Sequence, residues 1–441
     1  MCRLPTLLLI FLLSVSAGFS DTFINRNTGE SFNGYATSLK NGMLTQVRID
    51  AAQPEYINLD NYRIIPNNKG RKERIYFYTL EIPLDLYIEA DTLKESLPLV
   101  ANQGPYFILI ELDSPHGETE IARTIINTIK QTDYCKTVCW IKNDRYGGAF
   151  GVAATVALAC DKVYIEQGAS IGATPAGISE ANGISSESKS ELNKWTTYST
   201  SIAKENGRNP LPVRAMFEPD IEISEFKVDS NSVLVETTNR KPSRKPEKIW
   251  SEKGTLLTLE AGQAKQLGLV DGIVDSRSQI IEQMDAKDCR LLKDTRLAQA
   301  RRRLQRAEND FQDLVSMIGR RKPVIQNLQE RLRRIERDIR RARELIYRSR
   351  YHLDIGRRII SPGEGVTVQE LEDMLDYRDA VLSDLTRTLE NQLRDCRRIV
   401  SLSEELTDLK EPARKANIPG TLEDVRSQLD EATYWPKYER Y

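Results

Sequence analysis

Phe107-Ile108-Leu109-Ile110-Glu111-Leu112-Asp113-Ser114-Pro115-His116-Gly117 decides the fold of this 441-residue chain. Its first six residues are almost all apolar, which suits a strand covered on both faces, as in a parallel sheet. Asp113 to Gly117 has the composition of a sharp turn. From Glu118 to Gln131, Ile121, Ile125 and Ile129 fall on one helical stripe. Thr137 to Ile141 reads as a second strand and Gly147-Gly148-Ala149-Phe150-Gly151 as a second glycine-rich turn. An alanine-rich helix to Cys160 follows, then a third strand, Lys162 to Ile165. This β-turn-α-β-turn-α-β order is the right-handed crossover unit of an α/β fold. Active sites of such folds lie at the carboxyl ends of the strands, where both turns fall. Two readings of the glycines stand. They permit tight strand-to-helix turns, or they expose backbone N–H groups that converge on a developing oxyanion.

Five motifs in order now carry a resemblance. Glu111 to Gly117 is similar to the ELDTPGG turn of the ClpP/crotonase superfamily, within it the NfeD-like and signal-peptide-peptidase-A-like serine proteases. Ala153 to Asp161 resembles the family's helix ending in AAD, and Ser170-Ile171-Gly172-Ala173 its NIGA strand end. Ile202 to Asn209 resembles its LAEKRGRN helix. Leu256 to Ala261 with Gly268 to Gly272 resembles its closing LTAEEA and GLVDG. The resemblance covers about Ile75 to Met284. It implies a ClpP/crotonase-like core of ββα repeats, acting on peptides, with no cofactor.

The catalytic positions depart from that pattern. The family's nucleophilic serine opens the helix, ten residues before the closing aspartate, and counting back from Asp161 reaches Gly151. The family's lysine base lies about seventeen residues before the glycine of GRN, and counting back from Gly207 reaches Ser190. Lys189 is one residue away, so a shifted alignment supplies a base, but Tyr146 to Ala154 contains no serine. His116 stands where the family has glycine. It either lines the pocket or lies on a surface loop. The oxyanion donors implied by the resemblance are the N–H groups of Gly117 and Val152. The crotonase branch acts on acyl-CoA, and its acid/base position falls at Thr155. An exported protein does not meet that substrate.

Export is read from the N-terminus. Arg3, the apolar run Leu7 to Val15 and the small residues Val15-Ser16-Ala17, or Ser20, have the pattern of a secretory leader over residues 1–20. An uncleaved anchor is the other reading. The expected place is the periplasm or cell envelope. Six cysteines include Cys2. Cys135 and Cys139, if in one strand, would sit roughly 13 Å apart, too far for a disulfide. Two histidines, neither at ligand spacing with a Cys or carboxylate cluster, give no metal signature.

Residues 21–74 alternate apolar and polar and suggest a small antiparallel β unit, with a linker at Asn67 to Lys72. Residues 75–287 are the expected α/β domain. Its first helix is expected from Leu84 to Leu97, stopped by Pro98. Pro175 to Glu191 reads as a mobile segment, Leu192 to Asn206 as a helix and Ile221 to Val235 as a hairpin. Residues 288–360 carry a/d heptads, Leu297 to Ile346, for a basic coiled coil. Residues 361–441 hold a second helical segment and tail, opened by a Thr367 to Glu370 capping box after a break at Ser361 to Gly365. The expected arrangement is an antiparallel coiled-coil hairpin or an oligomer. Cys289 to Arg350 has 19 basic and 8 acidic residues, net +11, so the overall −1 leaves −12 for the rest. Export argues against nucleic acid. The positive helix therefore faces solvent, an anionic envelope surface or the protein's own acidic part.

These readings give an exported, catalytically degenerate relative of ClpP-class serine proteases. It binds a peptide or protein ligand, or acts as a scaffold, and self-associates through the α/β domain and coiled coil. The alternative is an active envelope peptidase with a shifted catalytic arrangement.

Overall fold

The structure is a computed structural model that describes residues 21–40, 44–49, 54–58, 61–65, 74–81, 83–101, 105–132, 135–173, 186–228, 231–238, 245–287, 289–354 and 366–435. The leader, the Asn67 to Lys72 linker, the Ser361 to Gly365 break and most of Pro175 to Glu191 lie outside these residues. The chain divides into two compact units, Met1–Ala300 and Arg301–Tyr441.

The first unit opens with five strands, β1 (Asp21–Asn25), β2 (Ser31–Lys40), β3 (Leu44–Ile49), β4 (Pro54–Ile57) and β5 (Tyr62–Ile65). They form an antiparallel sheet in the order β4-β3-β2-β1-β5, an open sheet with β4 and β5 at its edges. Phe23 stacks on Phe32 at 5.0 Å and joins the apolar cluster of the α/β core.

The α/β core begins with β6 (Arg74–Leu80), α1 (Tyr87–Ala101), β7 (Phe107–Leu112), α2 (Thr119–Lys130) and β8 (Thr137–Ile141). There follow β9 (Gly148–Phe150), α3 (Val152–Leu158), β10 (Lys162–Ile165), β11 (Ser170–Gly172), α4 (Ser186–Glu205) and α5 (Pro210–Ala215). Then come β12 (Ile223–Val228), β13 (Asn231–Glu236), β14 (Lys248–Ser251), β15 (Thr258–Glu260), α6 (Ala261–Gln266), β16 (Gly272–Ile273), α7 (Arg277–Gln283) and β17 (Arg290–Lys293). The main sheet has the order β16-β10-β8-β7-β6-β17, with its strands paired in parallel. Every residue of β7 and β8 is buried, as the unbroken apolar runs require.

Several elements differ from expectation. The first helix starts at Tyr87 and runs through Pro98 to Ala101. Proline removes one backbone bond there, but Leu97, Val100 and Ala101 are buried and hold the last turn in the core. The second glycine-rich stretch contains a short strand, β9, in a separate sheet of order β15-β11-β9. Helix α4 starts at Ser186, so its first turns occupy the end of the stretch read as mobile. Strand β17 pairs with β6, which carries the α/β unit past the boundary expected at 287. The hairpin forms as expected, β12 antiparallel to β13.

In the second unit α8 (Arg296–Asp354) passes Gly319 and Pro323 without a break. It is followed by α9 (Val368–Glu405), with the Thr367/Glu370 capping box formed, then α10 (Lys410–Lys415) and α11 (Ile418–Thr433). Ile325, Leu328, Leu332, Ile335 and Ile339 pack with Leu371, Leu375, Leu385 and Leu389 of α9 and Val425 of α11. Arg303 bonds Glu405 at 3.1 Å, Arg321 bonds Asp395 and Arg331 bonds Tyr377. Partner numbers fall as α8 numbers rise, so α8 and α9 are antiparallel. The heptad seam is thus filled within one chain. Arg378 and Gln392, which interrupt the α9 seam, are buried in it.

Candidate functional site

The two glycine turns are stitched together by backbone. The Ser114 N–H donates to the Gly148 carbonyl at 2.8 Å, and the Phe150 N–H to the Ser114 carbonyl at 3.0 Å. The buried Asp113 carboxylate accepts from the Tyr146 N–H at 2.8 Å and the Gly148 N–H at 3.0 Å. The Ser114 hydroxyl donates to the His116 carbonyl at 2.9 Å. It therefore shapes the turn.

Gly117 lies against the start of α3. The Leu84 N–H donates to the His116 carbonyl at 3.0 Å and the Glu118 N–H to the Leu84 carbonyl at 2.8 Å. Residues flanking Gly117 make these bonds, so its own N–H points away from Leu84. A Cβ at Gly117 would lie 2.6 Å from Leu84 and 2.9 Å from Val152 Cγ2, so only glycine fits. Gly151, with φ 59° and ψ −124°, turns the chain from β9 into α3. Its N–H is used by the Gly172 carbonyl at 2.8 Å. The Val152 N–H opens the helix and has no intrahelical acceptor. The structure thus brings Gly117, Gly151 and Val152 together.

Among the described residues, no hydrogen bond ties Ser190 to them. Helix α4 is fastened to α3 by the Thr155 and Ser199 hydroxyls, 2.9 Å apart and fully buried, and by Asn206 Nδ2 to the Leu158 carbonyl at 2.8 Å. Ser190 is exposed, roughly 13 Å from Ser199 along α4, whereas Gly151 is roughly 6 Å from Thr155 along its own helix. Lys189 lies beside Ser190 in the same turn. Thr155, the crotonase-type position, is fully enclosed. His116 is partly buried beside Gly117, and His352 lies on α8 in the other unit. Lys142, just past β8, is held by Glu81 and Asp144. Burial opposes its charge, yet these carboxylates push its pKa above the ordinary lysine value, so it is an ammonium and not a base.

Sequence reasoning missed the supports of this site. Glu111 is fully buried on β7, paired with Arg277 by two bonds and with Thr79 at 3.2 Å. Trp195 is buried on α4 with the Arg123 guanidinium 5.4 Å from its ring. Charged residues in apolar strands signal such pairs, but a partner 166 residues away is invisible in sequence. Among the described residues no group of three or more His, Cys, Asp or Glu could hold a metal ion.

Residues 81–245 match the family model of the NfeD1b N-terminal domain. The chain is also 24% identical over 221 residues to a Bacillus subtilis (strain 168) protein named membrane protein NfeD1b, covering 49% of this chain and 43% of that one. It therefore spans under half the length of that relative. Two solved structures of mutants of the 1510-N membrane-bound stomatin-specific protease, the second in complex with a substrate peptide, align with TM-scores of 0.37 and 0.36. They are 17% and 15% identical and cover 50% of this chain and 98% and 92% of theirs. The matched residues include both glycine turns and α4. Among the described residues no helix of the chain is long and apolar enough to cross a membrane.

Proposed function

We propose that this protein is a catalytically degenerate NfeD-like member of the cell envelope that binds an extended peptide or protein ligand without cleaving it. The single observation that carries this reading is Gly151. It caps the start of α3, where the family resemblance puts the nucleophile, and it has no side chain. Acyl transfer in this class needs a hydroxyl there and a neutral amine to deprotonate it. Two backbone N–H groups, those of Gly117 and Val152, remain to hold a peptide carbonyl. Without a nucleophile such donors bind and orient, and that is the chemistry of a scaffold or adaptor. The N-terminal leader pattern supports export, and the envelope location follows from it.

The test is the unmodified protein, purified free of host proteases. It should leave casein intact and take no label from a serine-reactive fluorophosphonate, while extended apolar peptides still bind. Gly117→Ala should weaken that binding, because its Cβ collides with Leu84 and Val152. Cleavage abolished by Lys189→Ala would instead establish the active-peptidase alternative with a shifted base. Cleavage persisting in a Lys189→Ala, His116→Ala double variant would show that the alignment of the site is wrong.

A further inference from the structure

Helix α8 carries charge that neither its packing nor the peptide site uses. Of the thirteen residues from Arg331 to Arg343, seven are arginine and two acidic. One of the two, Glu336, is buried and accepts from Trp435 Nε1 at 2.9 Å. Leu332, Ile335, Ile339 and Ala342 are buried in the seam, while Arg333, Arg334, Arg337, Arg340 and Arg341 are exposed. At 3.6 residues per turn these five fall together on the face opposite the seam. Arg334 has Glu330 at 3.7 Å, an exposed pair of little value, and the other four form no ion pair among the described residues. Arg333, Arg337 and Arg341 repeat at i, i+4 and i+8, where like charges destabilise a helix.

We infer that this arginine face is a docking surface for an anionic lipid bilayer. A sheet of negative headgroups turns the repulsion along the stripe into attraction at every position. No aromatic residue lies between Arg331 and Arg343, so the face offers no stacking platform for single-stranded nucleic acid. No large apolar side chain is exposed there either, so contact is peripheral and electrostatic. The inference rests on the envelope location proposed above and is independent of peptide binding.

The experiment is cosedimentation of the full chain with vesicles of phosphatidylcholine, with and without phosphatidylglycerol. Binding is expected only with phosphatidylglycerol, and it should disappear at about 0.5 M salt, where the Debye length is only a few ångströms. An Arg333→Ala, Arg337→Ala, Arg341→Ala variant should bind on the order of 100-fold more weakly, about fivefold per residue. A control, Arg394→Ala, Arg397→Ala, Arg398→Ala, makes the same change in net charge on α9 and should bind as before. Circular dichroism checks that both variants fold. Equal loss in the control, equal binding to pure phosphatidylcholine, or displacement of the protein from vesicles by duplex DNA at matched charge would each overturn the inference. Fractionation of cells separates the two readings. An exported protein that ignores anionic vesicles loses the arginine face alone, and a cytoplasmic protein that binds them loses the location alone.

Discussion

Asp271 shows how a single carboxylate sets a pH limit on this fold. It accepts from the Val163 N–H at 2.8 Å and Lys162 at 2.7 Å, and pairs with Arg208 at 3.2 Å. Burial pushes its pKa up, but the lysine, the backbone N–H and the guanidinium outweigh burial, so the net shift is downward. A folded-state pKa below the unfolded value means stability that is present above about pH 4 and lost as pH falls through the folded value. Chemical denaturation as a function of pH should therefore show a loss below about pH 4 in the native chain and a flatter profile in Asp271→Asn. Equal slopes would sink the assignment. Gly151 gives the second residue-scale test. Its φ of 59° with ψ −124° is a backbone that side chains rarely adopt. Gly151→Ser should cost about 1 kcal/mol or more of stability and by itself restore no hydrolysis, since the family's base position is Ser190, which has no amine. Gly151→Ser with Ser190→Lys is the pair in which slow turnover is expected, read as fluorophosphonate labelling and casein cleavage.

At the scale of elements, the α8 seam and the buried Glu111 carry the largest costs. Leu332 is fully buried, and Leu332→Ala should destabilise the helical unit by about 2–5 kcal/mol. Leu345, on the same helix but 42% exposed, should cost well under 1 kcal/mol as alanine. Urea titrations of the two variants test this, and equal midpoints would mean that the seam does not hold the helices. In the α/β unit, Arg277→Met strands the Glu111 carboxylate within the main sheet. A loss of roughly 3 kcal/mol is expected, tempered by the exposed side of the guanidinium, and Glu111→Gln in the Arg277→Met background should recover part of it. These elements were unequally legible. The β7, α2 and β8 pattern reads directly from period and burial. Strand β9 does not, because three residues of glycine, alanine and phenylalanine carry no strand period; pairing with β11 makes them a strand.

Self-association belongs to the scale of the whole molecule. From Ile325 to Ile346 the heptad residues of α8 pack on α9 and α11, so an oligomer has to use another surface than this part of the seam. The sheet formed by β12, β13 and β14 exposes Val233, Val235 and Ile249, at 41%, 41% and 53%. Light scattering on the full chain is expected to give a multiple of 50.2 kDa at micromolar concentration, and Val235→Glu to lower it. A monomeric native chain would refute this. Any truncation that isolates the α/β unit has to keep β17, since a chain ending at 287 loses the strand beside β6.

The sequence by itself determined the α/β class, the order of its crossover units, the five motifs that carry the family resemblance and the absence of a serine from Tyr146 to Ala154. Those are local properties: period, turn composition and residue identity at fixed spacing. It also placed the heptad positions, whose apolar identity fixes which face of α8 is buried. Only tertiary structure decided what that face meets, because an a/d seam is equally satisfied by a second copy or by the same chain. Tertiary structure alone also set Gly117 against Val152, tied Asp113 to residues 33 and 35 positions away, and fastened α4 at Ser199 rather than at Ser190. Such contacts depend on which elements the packed sheet brings together, and no local pattern encodes them.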